Sequence, residues 1–444
     1  MTDPRPPIEA RLRDAGLPPL PRTAWLEINL ERLAGNVRAI LGALPVGTRF
    51  EAVVKANGYG HGAIPVAGAA LAAGAHGLCV ATLDEALELR AAGLLAPVLV
   101  LFPVPPDGVA EAARAGIALA AGDAVLWERS LAAYARARRQ ARRRLGDLAV
   151  HLGIETGLGR DGLRTDEAVA AARALAGVPG VRLAGAWSHL QAPEDTARTA
   201  RQVERFEAAL RALADAGHPA PHRHLLASGG LLAAERYVGG EHPVFDGLRV
   251  GLALYGIVPD GLRRSEAAGR IERALQPVLS LLARPVRVAD LPAGEGVGYG
   301  PSFVTSRASR IATLPVGYAD GWVRFLGNRA SALVRGQRVP LVGTVAMDAV
   351  MADVTDVPGS PVTPDDEFVL LGEQGADRIT AQELAQERTT ISWEVVAVMS
   401  ARLPRVYTAP AEPVGIRTLT KNRGPWQTSR SGTATSATSR WTRS

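Results

Sequence analysis

Cysteine is almost absent from this chain: Cys79 is the only one in 444 residues. A single thiol excludes internal disulfides and any thiolate metal cage. It suits a reducing compartment, so the cytoplasm is the default expectation. Long apolar runs are missing as well, and no stretch reaches the length of about eighteen residues that a membrane helix needs. The opening MTDPRPPIEARLRDAG lacks the apolar centre of a secretory signal, so none is expected. Aromatic residues make up 5% of the chain against 47% for all hydrophobic types, an aliphatic balance that fits an α/β enzyme.

Lysine is the most informative shortage. Of 50 basic residues, 48 are arginine; Lys421 lies near the C-terminal end, and Lys55 is the only other lysine. Arginine serves wherever a generic cation is wanted, but it cannot lose its proton and so cannot form a Schiff base; lysine can. Lys55 ends the apolar run FEAVVK rather than lying on a polar helix face, and lysine is rarely buried without a partner or a task. A chemical role is therefore the stronger reading. The formal charge of +6 could suggest nucleic acid, but residues 415–444 hold six basic residues and no acidic ones, which accounts for the whole excess. A nucleic-acid footprint would be a basic stripe on the folded body. Here the excess falls in a stretch rich in Ser, Thr and Gly, and disorder is expected over 411–444. Neither nucleic acid nor a membrane is expected as a partner.

The length allows two domains. After an N-terminal extension (1–23), short apolar runs alternate with helical patterns over 24–271. The runs are FEAVV (50–54), GLCVA (77–81), PVLVLF (97–102), GIALAA (116–121), LAVHL (148–152), RLAGAW (182–187), HRHLL (222–226) and LRVGLALYG (248–256). Between them, ARQVERFEAALRALADAG (200–217) carries Val203, Phe206, Leu210 and Leu213 near helical spacing. Strand–helix alternation repeated about eight times predicts a (β/α)8 TIM-like barrel, with a doubly wound sheet as runner-up. Over 272–410, short β-type runs alternate with Gly and Pro turns, which predicts a mostly antiparallel β domain interrupted by a short helix at TAQELAQE (380–387).

Lys55 ends a strand and precedes the Gly-rich turn ANGYGHG, the place where barrel enzymes put their sites. An amine there, in low dielectric, has a depressed pKa and is a competent Schiff-base nucleophile. Tyr59 could reach a phosphate held by the turn, although Gly58, Gly60 and Gly62 read equally well as plain turn residues.

VVKANGYGHG resembles the pyridoxal-phosphate (PLP) lysine motif of the alanine racemase family. The likeness runs over residues 22–408 through ETGLGRDGL, WSHL, HLLASGG, LRVGLALYG, GVGYG, LPVGYADG and VGTVAMD, in family order. The resemblance implies that Lys55 holds PLP and acts as one base, with Tyr299 as the opposing base, supplied by the β domain of the other subunit of a homodimer. It implies Arg249 against the pyridine nitrogen, and Tyr59, Ser228, Gly251 and Leu252 around the phosphate. His189 would lie near the cofactor ring, and Arg160 would contact the phenolic oxygen and the substrate. Tyr318 and Met347 would approach the substrate carboxylate, with Asp348 in support. The activity implied is interconversion of L- and D-alanine, supplying D-alanine for cell-wall peptidoglycan. Two opposed bases suit that task, because one cannot easily reach both faces of Cα. An arginine at the pyridine nitrogen would keep it unprotonated and weaken the cofactor as an electron sink. Ser228, before Gly229 and Gly230 at an expected helix start, suits a phosphate.

Taken singly, His189 also reads as a core histidine, Arg249 as an ion-pair partner of Asp246, Met347 as core and Tyr299 as a turn residue. Three positions depart from the family: Gly153, where many members have a lysine modified to a carbamate; Ala227, where the family has Asn; and Ala401, where some offer a tyrosine, with Tyr407 nearby. These leave substrate range open. The alternatives are a broad-specificity racemase acting on serine or lysine, a PLP decarboxylase, or a non-catalytic PLP-binding protein. The decarboxylases use a cysteine from the β domain, which is missing here, and the non-catalytic proteins are shorter single barrels. His222 and His224 are expected to point to opposite strand faces, and no third ligand follows, so no metal is expected.

Overall fold

The structure, a computed structural model, describes residues 5–141, 145–233, 245–262, 266–409 and 411–423. The chain divides into two compact units. One comprises Leu33–Gly58 and Val66–Gln276; the other comprises the described residues up to Arg32, Tyr59–Pro65 and those from Pro277 onwards. The first strand, β1 (Ala24–Asn29), belongs to the second of these.

In the unit built on Leu33–Gly58 and Val66–Gln276, eight parallel strands close into a barrel in chain order. They are β2 (Arg49–Val53), β3 (Gly77–Val80), β4 (Val98–Val100), β5 (Ala118–Ala121), β6 (Leu148–Gly153), β7 (Val181–Trp187), β8 (Arg223–Ala227) and β9 (Gly247–Val250). They are the eight apolar runs of the sequence. Parallel strands are covered on both faces, which is why they read as continuous apolar stretches rather than as alternation. Phe50, Leu78, Val100, Leu119, Val150, Leu225 and Leu248 are all buried. The intervening helices turn one face inward: Thr196–Asp215 buries Val203, Phe206, Ala209 and Leu213, and the Asp195 side chain caps its start at the Arg198 amide. Because every strand runs the same way, all the C-terminal ends share one mouth of the barrel. At the opposite, N-terminal mouth lies a cavity of about 940 Å³ whose lining includes Arg49, Glu51, His151, Arg182 and His222.

The other unit is a sheet that adds β10 (Leu279–Ala283), β11 (Arg287–Leu291), β12 (Ser309–Leu314), β13 (Ser331–Val334), β14 (Gln337–Val342), β15 (Val350–Asp353), β16 (Phe368–Gln374), β17 (Asp377–Ile379), β18 (Arg405–Thr408), β19 (Pro413–Arg417) and β20 (Asn422–Arg423). Its order is β11-β12-β15-β14-β13-β16-β10-β1-β18-β19-β20, with β17 paired to β16. Every pairing described is antiparallel except β1 with β18. The short helix is Ala381–Glu387, capped by Thr380. No helix among the described residues is long and apolar enough to cross a membrane.

Two boundaries differ from the sequence reading. The barrel stretch was expected to begin at residue 24, yet β1, AWLEIN, pairs antiparallel with β10 (Trp25↔Leu282) and parallel with β18 (Ile28↔Tyr407). An apolar run suits either sheet, and its partners lie hundreds of residues away, beyond any local pattern. Disorder was expected from residue 411, yet β19 pairs with β18 (Val406↔Ile416) and β20 with β19 (Ile416↔Arg423). The polar composition of the whole stretch masked the short apolar run PVGI, whose Ile416 is buried. The rest of that expected tail, 424–444, lies outside the described residues.

Candidate active site

Lys55 follows β2 at the C-terminal mouth of the barrel. The chain then makes a left-handed turn in which Ala56, Asn57, Gly58 and Tyr59 have φ of 53°, 53°, 62° and 51°. Each residue other than glycine resists that conformation by about 1–2 kcal/mol, so the surroundings must impose it. Gly58 N donates to Val54 O at 2.9 Å, and Ala56 N donates to Glu85 Oε1 at 2.6 Å. Glu85 is the acidic member of a capping box with Thr82 on the helix Leu83–Ala91, and its second oxygen accepts from Ala81 N at 2.8 Å. Burial and the Arg160 charge push the Lys55 ammonium below its ordinary pKa, opposed by Glu85 and Cys79. The amine is thus closer to a neutral nucleophile than a surface lysine.

The structure brings Ser228, Gly251 and Leu252 together at the same mouth. Ser228 follows β8 and begins the helix Ser228–Ala233; Gly251 follows β9 and precedes the 3-10 turn Leu252–Tyr255. The Ser228 hydroxyl oxygen accepts from Gly251 N and Ala253 N, both at 3.2 Å. Ends of the last two strands of a barrel are a common place for a phosphate. Tyr59 falls in the sheet unit, with Tyr59–Pro65.

Arg249, on β9, is 2% exposed and points into the barrel. Its guanidinium donates to Ser188 O at 2.7 Å, His224 O at 3.0 Å and Leu225 O at 3.3 Å, lies 2.7 Å from His224 Nδ1 and 3.4 Å from His189 Nδ1, and sits 4.8 Å from the Trp187 ring centroid. The alternative pairing with Asp246 is not formed; Asp246 pairs with Arg223 at 2.8 Å. Burial pushes the Arg249 pKa down to about 10, which leaves it cationic at neutral pH. Burial, then the charges of Arg249, Arg160 and Lys55, push His189 down to about 3, so its ring is neutral.

Arg160 donates through Nε to Asp161 Oδ1 at 2.8 Å and lies 5.3 Å from the Phe102 ring centroid. Asp161 therefore supplies an anion to Arg160 from the adjacent position. At Gly153, the end of β6, a Cβ would stand 3.4 Å from both Ala121 O and Trp187 Nε1, close contact without a clash. Asp161 was missed by the sequence reading, although the Arg-Asp step in GLGRDGL was its signal.

In the sheet unit, Tyr299 is 75% exposed between Gly298 and Gly300, both at positive φ. Tyr318 and Met347 are exposed too, which removes the core reading of Met347. Their backbones are tied together: Tyr318 N donates to Ala346 O at 3.1 Å and Ala319 N to Met347 O at 3.0 Å. Asp348 accepts from Arg402 Nη2 at 2.5 Å.

The barrel interior corrects the expectation for the paired histidines. Residues two apart on a strand share a face, and the His222 and His224 rings stack with centroids 4.8 Å apart. Glu51 joins them, with one donor atom from each residue within 4.8 Å of the others. The hydrogen bonds, however, occupy both nitrogens of His224. An arginine can only donate, so His224 Nδ1 accepts from Arg249; its Nε2 must then carry the proton and donate to His151 Nδ1 at 2.9 Å. His224 has no lone pair left for a metal. Sequence reasoning missed Glu51 and His151; the signal was a titratable residue inside each of two apolar strand runs.

A family model for the alanine racemase N-terminal domain matches residues 28–259, and one for the alanine racemase C-terminal domain matches residues 278–407. The chain is 41% identical to the alanine racemase of Symbiobacterium thermophilum over 391 residues, 87% of this chain and 97% of that relative. It resembles the solved structure of alanine racemase from Bacillus anthracis with bound L-Ala-P at a TM-score of 0.81 and 31% identity, covering 90% of this chain and 99% of that one. It also resembles histidine racemase from Leuconostoc mesenteroides at a TM-score of 0.77 and 27% identity, covering 88% and 99%.

Proposed function

The chain belongs to the alanine racemase family and interconverts L- and D-alanine, and from that premise we propose that it works with PLP joined to Lys55. The observation that carries this reading is the placement of Lys55. It stands at the C-terminal mouth of the barrel with a lowered pKa, at the end where Arg249, Ser228 and Gly251 also gather. The residues present fit the group. The amine suits the aldehyde, the Ser228 hydroxyl and the amides of Gly251 and Leu252 suit the phosphate, and buried Arg249 offers donors to the ring nitrogen. When bound, PLP supplies the electron withdrawal that acidifies the Cα–H bond of an attached amino acid.

The chain's own residues then have these roles. Lys55 Nζ moves the proton on one face of Cα, and Tyr299 Oη, from a second copy of the chain, moves it on the other. Arg249 has no acceptor and stays cationic, so it would keep the ring nitrogen unprotonated. Tyr59 would complete the phosphate contacts, and His189 would lie near the ring as a neutral imidazole. Arg160, held by Asp161, contacts the substrate end. Tyr318 and Met347 of the second copy meet the substrate carboxylate, with Asp348 behind them. The single cysteine, buried on β3, suits a reducing cytoplasm.

A broader substrate range is the second reading, favoured by the likeness to a histidine racemase and by the small residues Gly153 and Ala227. One preparation tests both. Borohydride reduction and peptide mapping should label Lys55, and chiral analysis of L-alanine, L-serine, L-lysine and L-histidine should show racemisation of alanine foremost. A label elsewhere, or none, overturns the assignment of Lys55.

A further inference from the structure

Among the described residues the buried Arg249 cation bonds to three carbonyls and two imidazoles and lies over the Trp187 ring, with no carboxylate in bonding distance. A buried charge without an anion is strongly unfavourable. Strand register supplies one: Glu51 and Arg249 are Cα partners on β2 and β9, and Glu51 is 7% exposed. Burial raises the Glu51 carboxyl, but contact with His222, then His151 and Arg249, outweigh it and keep it below the usual range, so it is ionised. Groups from several elements of the barrel face this carboxylate. Cys79 on β3 donates through Sγ at 3.5 Å, His222 Nε2 before β8 lies at 3.2 Å, Arg49 Nε on β2 lies at 4.0 Å, and His151 comes from β6.

The histidines give this ion pair a direction. Arg249 fixes His224 as the Nε2–H tautomer, and His224 in turn fixes His151 with its proton on Nε2. One end of the row is sealed beneath the catalytic mouth. The other end, with Glu51, His151 and His222, lines the cavity of about 940 Å³ at the opposite mouth.

We propose that Glu51 is a positioning residue for the reaction: it is the counter-ion of Arg249, and through the aligned His224 and His151 it fixes the guanidinium that faces the cofactor ring. This rests on the placement of Arg249 at that ring. Glu51 touches neither cofactor nor substrate. It lies within β2, four residues before Lys55, which follows that strand.

The test compares Glu51→Gln, Glu51→Asp, Arg249→Met and the double variant Glu51→Gln/Arg249→Met as PLP-loaded protein. Thermal midpoints form a double-mutant cycle. Glu51→Gln should lower the midpoint clearly when Arg249 is present and little when it is Met; equal losses in both backgrounds overturn the pairing. Glu51→Gln should reduce kcat by roughly tenfold, as loss of an outer-shell partner does, with KM for alanine little changed, and Glu51→Asp should recover part. Removing a negative charge disfavours protonated forms, so the pH midpoint of the cofactor's visible band should fall by roughly half to one unit. If the cycle shows coupling while kcat and the band stay unchanged, the ion pair stands and the placement of Arg249 at the cofactor falls. Should Glu51→Gln fail to fold, the double variant, which removes both charges, should fold; its failure too overturns the proposal.

Discussion

At Arg160 one neighbour sets the charge balance. Asp161 Oδ1 accepts from Arg160 Nε at 2.8 Å, and no side chain from Gly153 can take that part. Asp161→Asn should lower kcat/KM for alanine by roughly tenfold, as other outer-shell losses do, while an ion pair this exposed should leave the thermal midpoint nearly unchanged. Wild-type kcat/KM in that variant would show that Arg160 needs no anion. His151 carries a pH signature. Burial pushes its pKa from 6.5 down to about 4, partly opposed by Glu51. The folded value lies below the unfolded one, so the unfolded chain binds more protons between them. The stabilisation is complete above about pH 6.5 and fades as pH falls towards 4, a span worth about 3 kcal/mol. Thermal midpoints taken across that range should fall less steeply for His151→Gln than for the parent chain. Parallel slopes would remove His151 from the titration.

At the scale of elements, the segment after Lys55 is tightly specified. Gly60 has φ +80°, and a Cβ there would stand 2.1 Å from Val396 O; Gly62 has φ +100°, and its Cβ would stand 2.0 Å from Tyr407 Oη. Gly60 O also accepts from Arg405 Nε at 2.9 Å. The left-handed turn over Ala56–Tyr59 is thus continued by glycines that nothing larger can replace. Gly60→Ala should destabilise the fold by about 3 kcal/mol or more, since it combines strain with overpacking. Denaturant unfolding measures this, and a loss under about 0.5 kcal/mol, the range of an ordinary surface change, would show that the segment repacks freely. Gly62→Ala, which meets a hydroxyl rather than a backbone carbonyl, should be the milder of the two.

For the whole molecule, the proposed catalytic groups divide between the two units: Lys55, Arg160, Ser228 and Arg249 in the barrel, Tyr299, Tyr318 and Met347 in the sheet. The three sheet residues are exposed, as groups offered to another copy should be. If the proposed sites are shared between two copies, mixing inactive Lys55→Ala with inactive Tyr299→Phe should restore part of the activity, because a hybrid dimer would have one site with both bases. Absence of recovery after proven subunit exchange would count against a shared site.

Local pattern alone determined much of this protein. Eight apolar runs became eight barrel strands, because a strand buried on both faces must be apolar throughout. Lys55 stood out because arginine had taken every other cationic post except Lys421, in the turn between β19 and β20, and an amine at the end of an apolar strand has few other uses. Tertiary structure decided what depends on partners far away in sequence. AWLEIN could have joined either sheet until β10 and β18 claimed it, and PVGI looked like tail until β18 paired with it. Glu51, His151, His224 and Arg249 come from four strands, and only barrel closure brings them together. Their tautomers are then set by contact, since an arginine can only donate and each histidine must answer it.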